Sequence, residues 1–309
     1  MARYLERAEH TARLLEVNLN LMLDESSTSS EHRWTRMLRS LGYPGDLVWE
    51  GDPYKLTRTL TFDISHKASI VSCIVAAREN SRHVREQIST EQWHRLNSLY
   101  LYVTQPGIAH ETEEDATEFL QTVTEAVHQF QGITDSTMSH GEGWQFIQVG
   151  RFIERASATA MLIEAYHEDL WTHPERIAEG NEYLEWMGLL RSATAFEAYC
   201  KVYTADLTPD QILEFLLLDA QFPHSLRFAV DSMQHALEAI QSESGKSRAE
   251  VLHKLAGRLQ AMLSFTSVDD VLQQDVVAVL RDIQLRCRAI HKTIYELYVD
   301  YSIQTALAG

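Results

Sequence analysis

Apolar residues recur at steps of three and four along nearly the whole chain. Leu5, Ala8, Ala12, Leu15 and Leu19 form one stripe, Ile70, Ile74, Ala77 and Val84 a second, and Phe152, Ala156, Ala160 and Ile163 a third. That spacing gathers each set on one face of a helix, and no alternating apolar-polar run bounded by turns competes with it. The breaks between periodic segments are turn-rich: DESSTSSEH (24–32), GYPGD (42–46), TQPG (104–107), SHGEG (139–143) and QSESGKS (241–247). The acidic stretch HETEEDATEF (110–119) reads as the first turn of a helix, where the macrodipole favours carboxylates. The predicted class is all-α.

The helical pattern occurs twice. Aligning Arg3 with Arg151 (151 − 3 = 148) also matches Glu6 with Glu154, Arg7 with Arg155, Ala8 with Ala156, Thr11 with Thr159, Ala12 with Ala160, Leu14 with Leu162 and Glu16 with Glu164. WTRMLRS from Trp34 answers WMGLLRS from Trp186 (186 − 34 = 152), and LTFDISHKASI around Asp63 answers LLLDAQFPHSL around Asp219 (219 − 63 = 156). Three blocks in one order with a slowly growing offset predict a helical bundle built from two repeats of about 150 residues packed into one globule. The expected boundaries are 1–140 and 141–309. The second motif follows an apolar lead-in, GWQFIQVG, whereas little precedes Arg3. The chain is therefore expected to start inside its first helix, through trimming or a misplaced start, with the Arg3 turn poorly supported.

Composition and charge narrow the function classes. Thirteen Gly and six Pro in 309 residues, with 45% hydrophobic and 23% charged residues, describe a helix-rich globule with mass enough for a large core. A net charge of −17 repels polyphosphates, so nucleic acid is not an expected partner. No apolar run is long enough for a membrane span. Three widely spaced cysteines, without CxxC or a secretory leader, fit a reducing cytoplasm.

Candidate chemistry centres on arginine and glutamate. Arg3, Glu6, Arg7 and His10 share one helical stripe, as do Arg151, Glu154 and Arg155. These are either ion pairs within each helix or one buried network or ligand site where the two repeats meet. Glu154 and Arg155, flanked by Phe152, Ile153 and Ala156, are expected to be buried and paired, since an unpaired buried charge is costly. In ARENSRHVREQI (77–88), Arg78, Arg82 and Arg85 follow at steps of four and three, predicting a guanidinium ridge suited to carboxylate or phosphate. Glu79 and Glu86 both stand within reach of Arg82. Asn80 lies on the same segment; the second repeat has Gln234, His235 and Ala236 where Arg78, Glu79 and Asn80 stand. Glu-x-x-His occurs at Glu91/His94, Glu164/His167 and Glu250/His253, but these fall at no equivalent repeat positions, and no metal is expected. There is no GxSxG elbow and no Gly-rich phosphate loop, Cys73 sits in an apolar run that reads as core, and no cofactor is expected.

At ARYLERAEHTARLLE, SIVSCIVAARENSRHVREQIS and TMSHGEGWQFIQVGRFIERA the chain resembles the alpha-E family of bacterial helical domains, over nearly its whole length. The resemblance implies weight on Arg3, Glu6, Arg7, Arg78, Glu79, Asn80, Arg82, Arg85, Glu86, Arg151, Glu154 and Arg155. It also implies a genomic setting beside circularly permuted ATP-grasp proteins of the amide-ligase type and transglutaminase-like proteases. The chain departs from the family where it lacks an aromatic lead-in before Arg3. Two functions are expected from different classes. One is an accessory subunit that docks with an ATP-grasp ligase and holds an anionic small molecule or peptide. The other is an enzyme acting on amide or ester bonds, with Glu6 or Glu154 as general base beside an arginine clamp.

Overall fold

A computed structural model describes residues 1–23, 29–42, 47–111, 116–171, 182–244 and 250–300. Among them there is no strand. The expected turns at 24–28, 43–46 and 245–247, and the acidic turn at 112–115, lie outside the described residues.

The first segment contains α1 (Ala2–Leu23), α2 (Ser30–Ser40), α3 (Pro53–Phe62), α4 (Ile70–His83), α5 (Thr90–Val103), α6 (Ile108–Glu111) and α7 (Ala116–Thr137). The second contains α8 (Glu142–Leu170), α9 (Glu182–Ser192), α10 (Phe196–Tyr203), α11 (Pro209–Leu218), α12 (Leu226–Ser244), α13 (Glu250–Phe265), α14 (Val268–Leu272) and α15 (Val276–Tyr295). The predicted stripes on α1 and α8 are core, and so are Ile70, Ile74 and Ala77 on α4. Val84 is the exception. Helix α4 ends at His83, and Val84, at φ −123° and ψ 32°, is exposed.

α1 and α8 lie against each other at the centre of the core. α1 is flanked by α4 and α7, and α8 by α12 and α15; α5 joins α4 to α7, and α13 joins α12 to α15. The short helices cross over: α2 packs on α8, and α9 packs on α1. Local chemistry sets the corners. Proline opens both α3 and α11 at the first turn, where its missing N–H costs nothing. Asp63 and Asp219 follow those helices and accept backbone N–H bonds from Ser65 and from Gln221 and Phe222. Ser69 and Ser225 then cap α4 and α12 through Ser72 N–H and Phe228 N–H. After α2 and α9 the chain turns through positive φ at Gly42 (72°) and Thr194 (52°).

Candidate anion-binding cleft

Because α1 and α8 run through the core side by side, their motif residues meet between them. Arg155 Nε donates to Glu6 Oε1 at 2.5 Å, and Arg7 Nε donates to Glu154 Oε1 at 2.6 Å. Each motif glutamate is thus paired with the other motif's arginine, across the helix interface rather than along either helix. The two pairs differ in surroundings. Arg155 and Glu6 are buried, with a second Arg155 donor on the Pro223 carbonyl at 3.2 Å. Glu154 carries an additional arginine, Arg3, whose Nε and Nη2 lie 2.8 and 2.7 Å from Oε2. Arg3 and Arg7 keep about a third of their side-chain surface in solvent (31% and 34%). The Arg3 turn is thus well supported, contrary to the expectation from sequence. Burial would raise the Glu154 carboxyl, but Arg7 and Arg3 outweigh it and hold it below the usual carboxylate range. Among the described residues Arg151 has no such pairing: it lies against the Phe152 ring, 5.3 Å from the centroid, and its Nε has no hydrogen-bond partner there.

On the solvent side of Glu154 opens a cleft of about 310 Å³. α1 lines it with Arg3, Arg7, His10 and Thr11; α8 adds Glu154, Ser157, Ala158 and Met161, and α15 adds Gln284 and Arg288. Leu41, Gly42 and Ala68 close its rim. Three guanidiniums face one carboxylate, a local positive excess on a chain of net charge −17. Sequence reasoning named Arg3, Arg7 and Glu154 but missed Gln284 and Arg288. Nothing in the helical periodicity of α15 marks those two residues as part of this site.

One turn deeper on α1, Glu9 and Arg13 form a very short ion pair. Arg13 also donates to the Ser192 carbonyl at 2.8 Å, and its Nη2 lies 3.2 Å from His10 Nδ1. Burial raises the Glu9 carboxyl, but Arg13, followed by the His128 hydrogen bond and the charges of His128 and His10, outweighs it and brings it to about 2. Burial first, then Arg13, pushes the His10 imidazole down to about 3, so it is neutral at pH 7. Four more ionic contacts tie α2 to the second segment among the described residues: Arg36 to Glu185 at very short range and to Asp169 at 3.7 Å, Arg39 to Glu168 at 2.7 Å, and Arg39 to Asp169 at 2.6 Å. The sequence reading missed the contacts of α2, since no local spacing relates residues so far apart in the chain; the Glu9–Arg13 pair, at i and i+4, lay within reach of local spacing.

The predicted ridge on 77–88 is broken. α4 stops at His83, and Arg85 sits in a short 3₁₀ turn, Arg85–Gln87, where it donates to the Ile88 carbonyl at 3.2 Å. Arg78, Arg82 and Arg85 therefore do not share one helix face. Arg78 is bound to Asn97 Oδ1 (2.9 Å) and Glu79 (3.2 Å) and lies 4.2 Å over the Tyr100 ring. Arg82 pairs with Glu79 at 3.1 Å, as expected, but Glu86, beyond the helix end, makes no ion pair among the described residues. Asn80 donates to the Ala76 carbonyl of its own helix. What survives of the ridge is aromatic: Arg78 and Arg85 both stand 5.6 Å from the Trp93 ring. Of the Glu-x-x-His residues, Glu164 is occupied by Arg281 and Gln284, each at 2.6 Å, and His253 by Gln234.

The meeting of Glu6, Arg7, Glu154 and Arg155 gives the sequence motif its structural meaning, and a family profile described as a predicted alpha-helical domain with a conserved ER motif matches residues 1–299. The chain belongs to the alpha-E family. The chain is also similar to proteins of Mycobacterium bovis and Mycobacterium tuberculosis that are named only as uncharacterised, each 24% identical over 270 residues. Those matches cover 81% of this chain and 30% of each relative, so this alpha-E chain spans under a third of their length. No solved structure matches it. Among the described residues, no helix of this alpha-E protein is long and apolar enough to cross a membrane.

Proposed function

We propose that this alpha-E chain is a binding module, a helical partner of an ATP-grasp amide ligase that holds an anionic substrate or anionic part of a partner at the Arg3–Arg7–Glu154 cleft. The observation that carries the reading is the charge count there: three guanidiniums to one carboxylate, open to solvent, on an acidic protein. Guanidinium forks bind carboxylate and phosphate through charge-assisted bonds, and the partner would supply ATP chemistry. The identity of that partner rests on the family resemblance. The alternative, a general base at Glu6 or Glu154, is disfavoured by the same geometry. Glu154 is held ionised by two arginines and so is a weak base, and Glu6 is buried against Arg155.

The two segments are read here as descendants of one duplicated unit, with the boundary in the turn between α7 and α8; their support is the matching order of corners and packing pairs. The test of the function is co-expression with an ATP-grasp protein encoded beside it. Co-elution together with a changed ligase rate is expected. Turnover of amide or ester substrates by the chain alone, without ATP, would overturn the module reading, as would the absence of both co-elution and rate effect.

A further inference from the structure

The cleft is open where the corresponding place in the other segment is filled. Its α8 wall is Ser157, Ala158 and Met161. In the register that aligns the two motifs (157 − 148 = 9), α1 carries Glu9, His10 and Arg13 at those positions. There Glu9 and Arg13 bind each other in an ion pair, and Arg13 also bonds the Ser192 carbonyl and contacts His10. His128 adds to that cluster, its Nε2 lying 3.6 Å from the Glu9 carboxylate. One location is neutralised and packed by its own side chains. The other keeps its volume and its excess of guanidinium.

A second observation concerns a residue of the cleft wall. His10 lines the cleft and is only 6% exposed, yet among the described residues its Nε2 has no hydrogen-bond partner. A guanidinium can only donate, so the Arg13 contact makes Nδ1 the acceptor and places the proton of the neutral ring on Nε2. A buried N–H donor without an acceptor is costly, and an oxyanion in the cleft would satisfy it. Arg7 reaches Glu154 through Nε, and its terminal nitrogens make no hydrogen bond among the described residues. Arg288 is exposed on the cleft and makes no ion pair among the described residues. Glu154 offsets one of the three guanidinium charges, which leaves two uncompensated.

We propose that this cleft binds a small ligand with a doubly negative oxyanion head, a phosphoryl group or a pair of carboxylates, on a short aliphatic body. Arg288 and the free nitrogens of Arg7 hold the head, and His10 Nε2–H donates to it. Leu41, Ala68, Ala158 and Met161 offer the body an apolar wall. A volume of about 310 Å³ is at the small end of ligand pockets, which suits a short body. The proposal rests on the anion-binding reading above and gives it a ligand class and a discriminating residue.

The experiment is calorimetric titration of the full chain at low salt with inorganic phosphate and, separately, with malonate and ethylmalonate, for wild type and Arg288→Gln. Arg288 is outside every ion pair of the core, so the variant is expected to melt with the wild type. One-to-one binding of phosphate, of the dicarboxylates or of both is expected and assigns the head. Affinity should fall at least tenfold in Arg288→Gln, and the His10 Nε2 resonance should move on binding in wild type. Binding of neither probe at millimolar concentration overturns the proposal, and so does an affinity that Arg288→Gln leaves unchanged. Co-elution with an ATP-grasp protein is scored apart. A chain that binds a probe but not the ligase overturns the partner reading alone, and one that co-elutes yet binds neither probe overturns the cleft alone.

Discussion

Removing the two motif glutamates one at a time should have unequal effects, although sequence makes them look interchangeable. Glu6→Ala strands Arg155, whose side chain is 4% exposed and whose remaining bond goes to the Pro223 carbonyl. A guanidinium that cannot reach water keeps its desolvation penalty and loses its counter-charge, a combination that costs about 3–5 kcal/mol. Glu154→Ala likewise removes two hydrogen bonds, but both come from arginines that keep contact with solvent. Arg3 and Arg7 are 31% and 34% exposed and can swing into the open cleft, so the loss is that of charge-assisted bonds discounted for solvent, about 1–2 kcal/mol. The expected gap is about 2 kcal/mol, well above the error of urea unfolding followed by far-UV circular dichroism, with an unchanged dependence on urea as the check on comparability. Replacing the buried pair together, Glu6→Leu with Arg155→Met, should recover most of the loss because no charge is left behind. Equal losses for the two alanine variants, or a larger one for Glu154→Ala, would refute the argument that burial of the surviving arginine sets the cost.

Four further outcomes follow from the same geometry. Stability should decline as pH falls from roughly 6.5, because unfolded His10 and His224 bind protons that the folded rings refuse, His10 down to about 3 and His224 well below the ordinary value; His10→Gln should make that slope shallower without abolishing it in pH-dependent urea melts. A second loss should appear below roughly 4.3, as the unfolded chain protonates its carboxyls before folded Glu9 does at about 2. In native thiol labelling, half-buried Cys200 should react first. Cys73 and Cys287, buried with thiols pushed up to about 12 and 11, should react only on unfolding. Gly42→Ala should cost about 1–2 kcal/mol, since its φ of 72° is hostile to a side chain and the new Cβ would stand 2.9 Å from Met161 Sδ; adding Met161→Ala should restore only the part due to the contact.

The apolar stripes of α1 and α8 were legible because burial there follows helical period alone. Val84 and Arg85 were misplaced because the period continues past the point where the backbone does not. The chain leaves the helix at Val84, and no proline or glycine in the sequence announces it. The motif residues were legible as a group but not as pairs. Neighbours such as Glu154 and Arg155 project about 100° apart on a helix, so they address different partners. Which partner each finds depends on how α8 lies against α1, a tertiary fact. Arg288 and Gln284 carried no signal at all, since an exposed arginine and a flanking amide on an amphipathic helix look like any solvated face.

The unequal use of the two glutamates also explains how arginines that hold the core together can still serve a ligand. A guanidinium has five N–H donors and a carboxylate two oxygens, so a one-to-one pair is saturated only if the spare donors find other acceptors. Arg155 finds one at Pro223, inside the protein, and Glu6 has Gln131 at 3.3 Å on its second oxygen. That pair is closed. Glu154 instead divides two oxygens between Arg3 and Arg7, so charge and donors are left over on the side that faces solvent. The difference traces to Arg3 and Arg151, matched in sequence but not in contact: Arg3 reaches the opposite glutamate, and Arg151 lies along Phe152 with Nε unpaired. With the second arginine turned away on one side only, the Glu6 pair is left to hold the core, and the positive excess collects on the Glu154 side, where the cleft lies open.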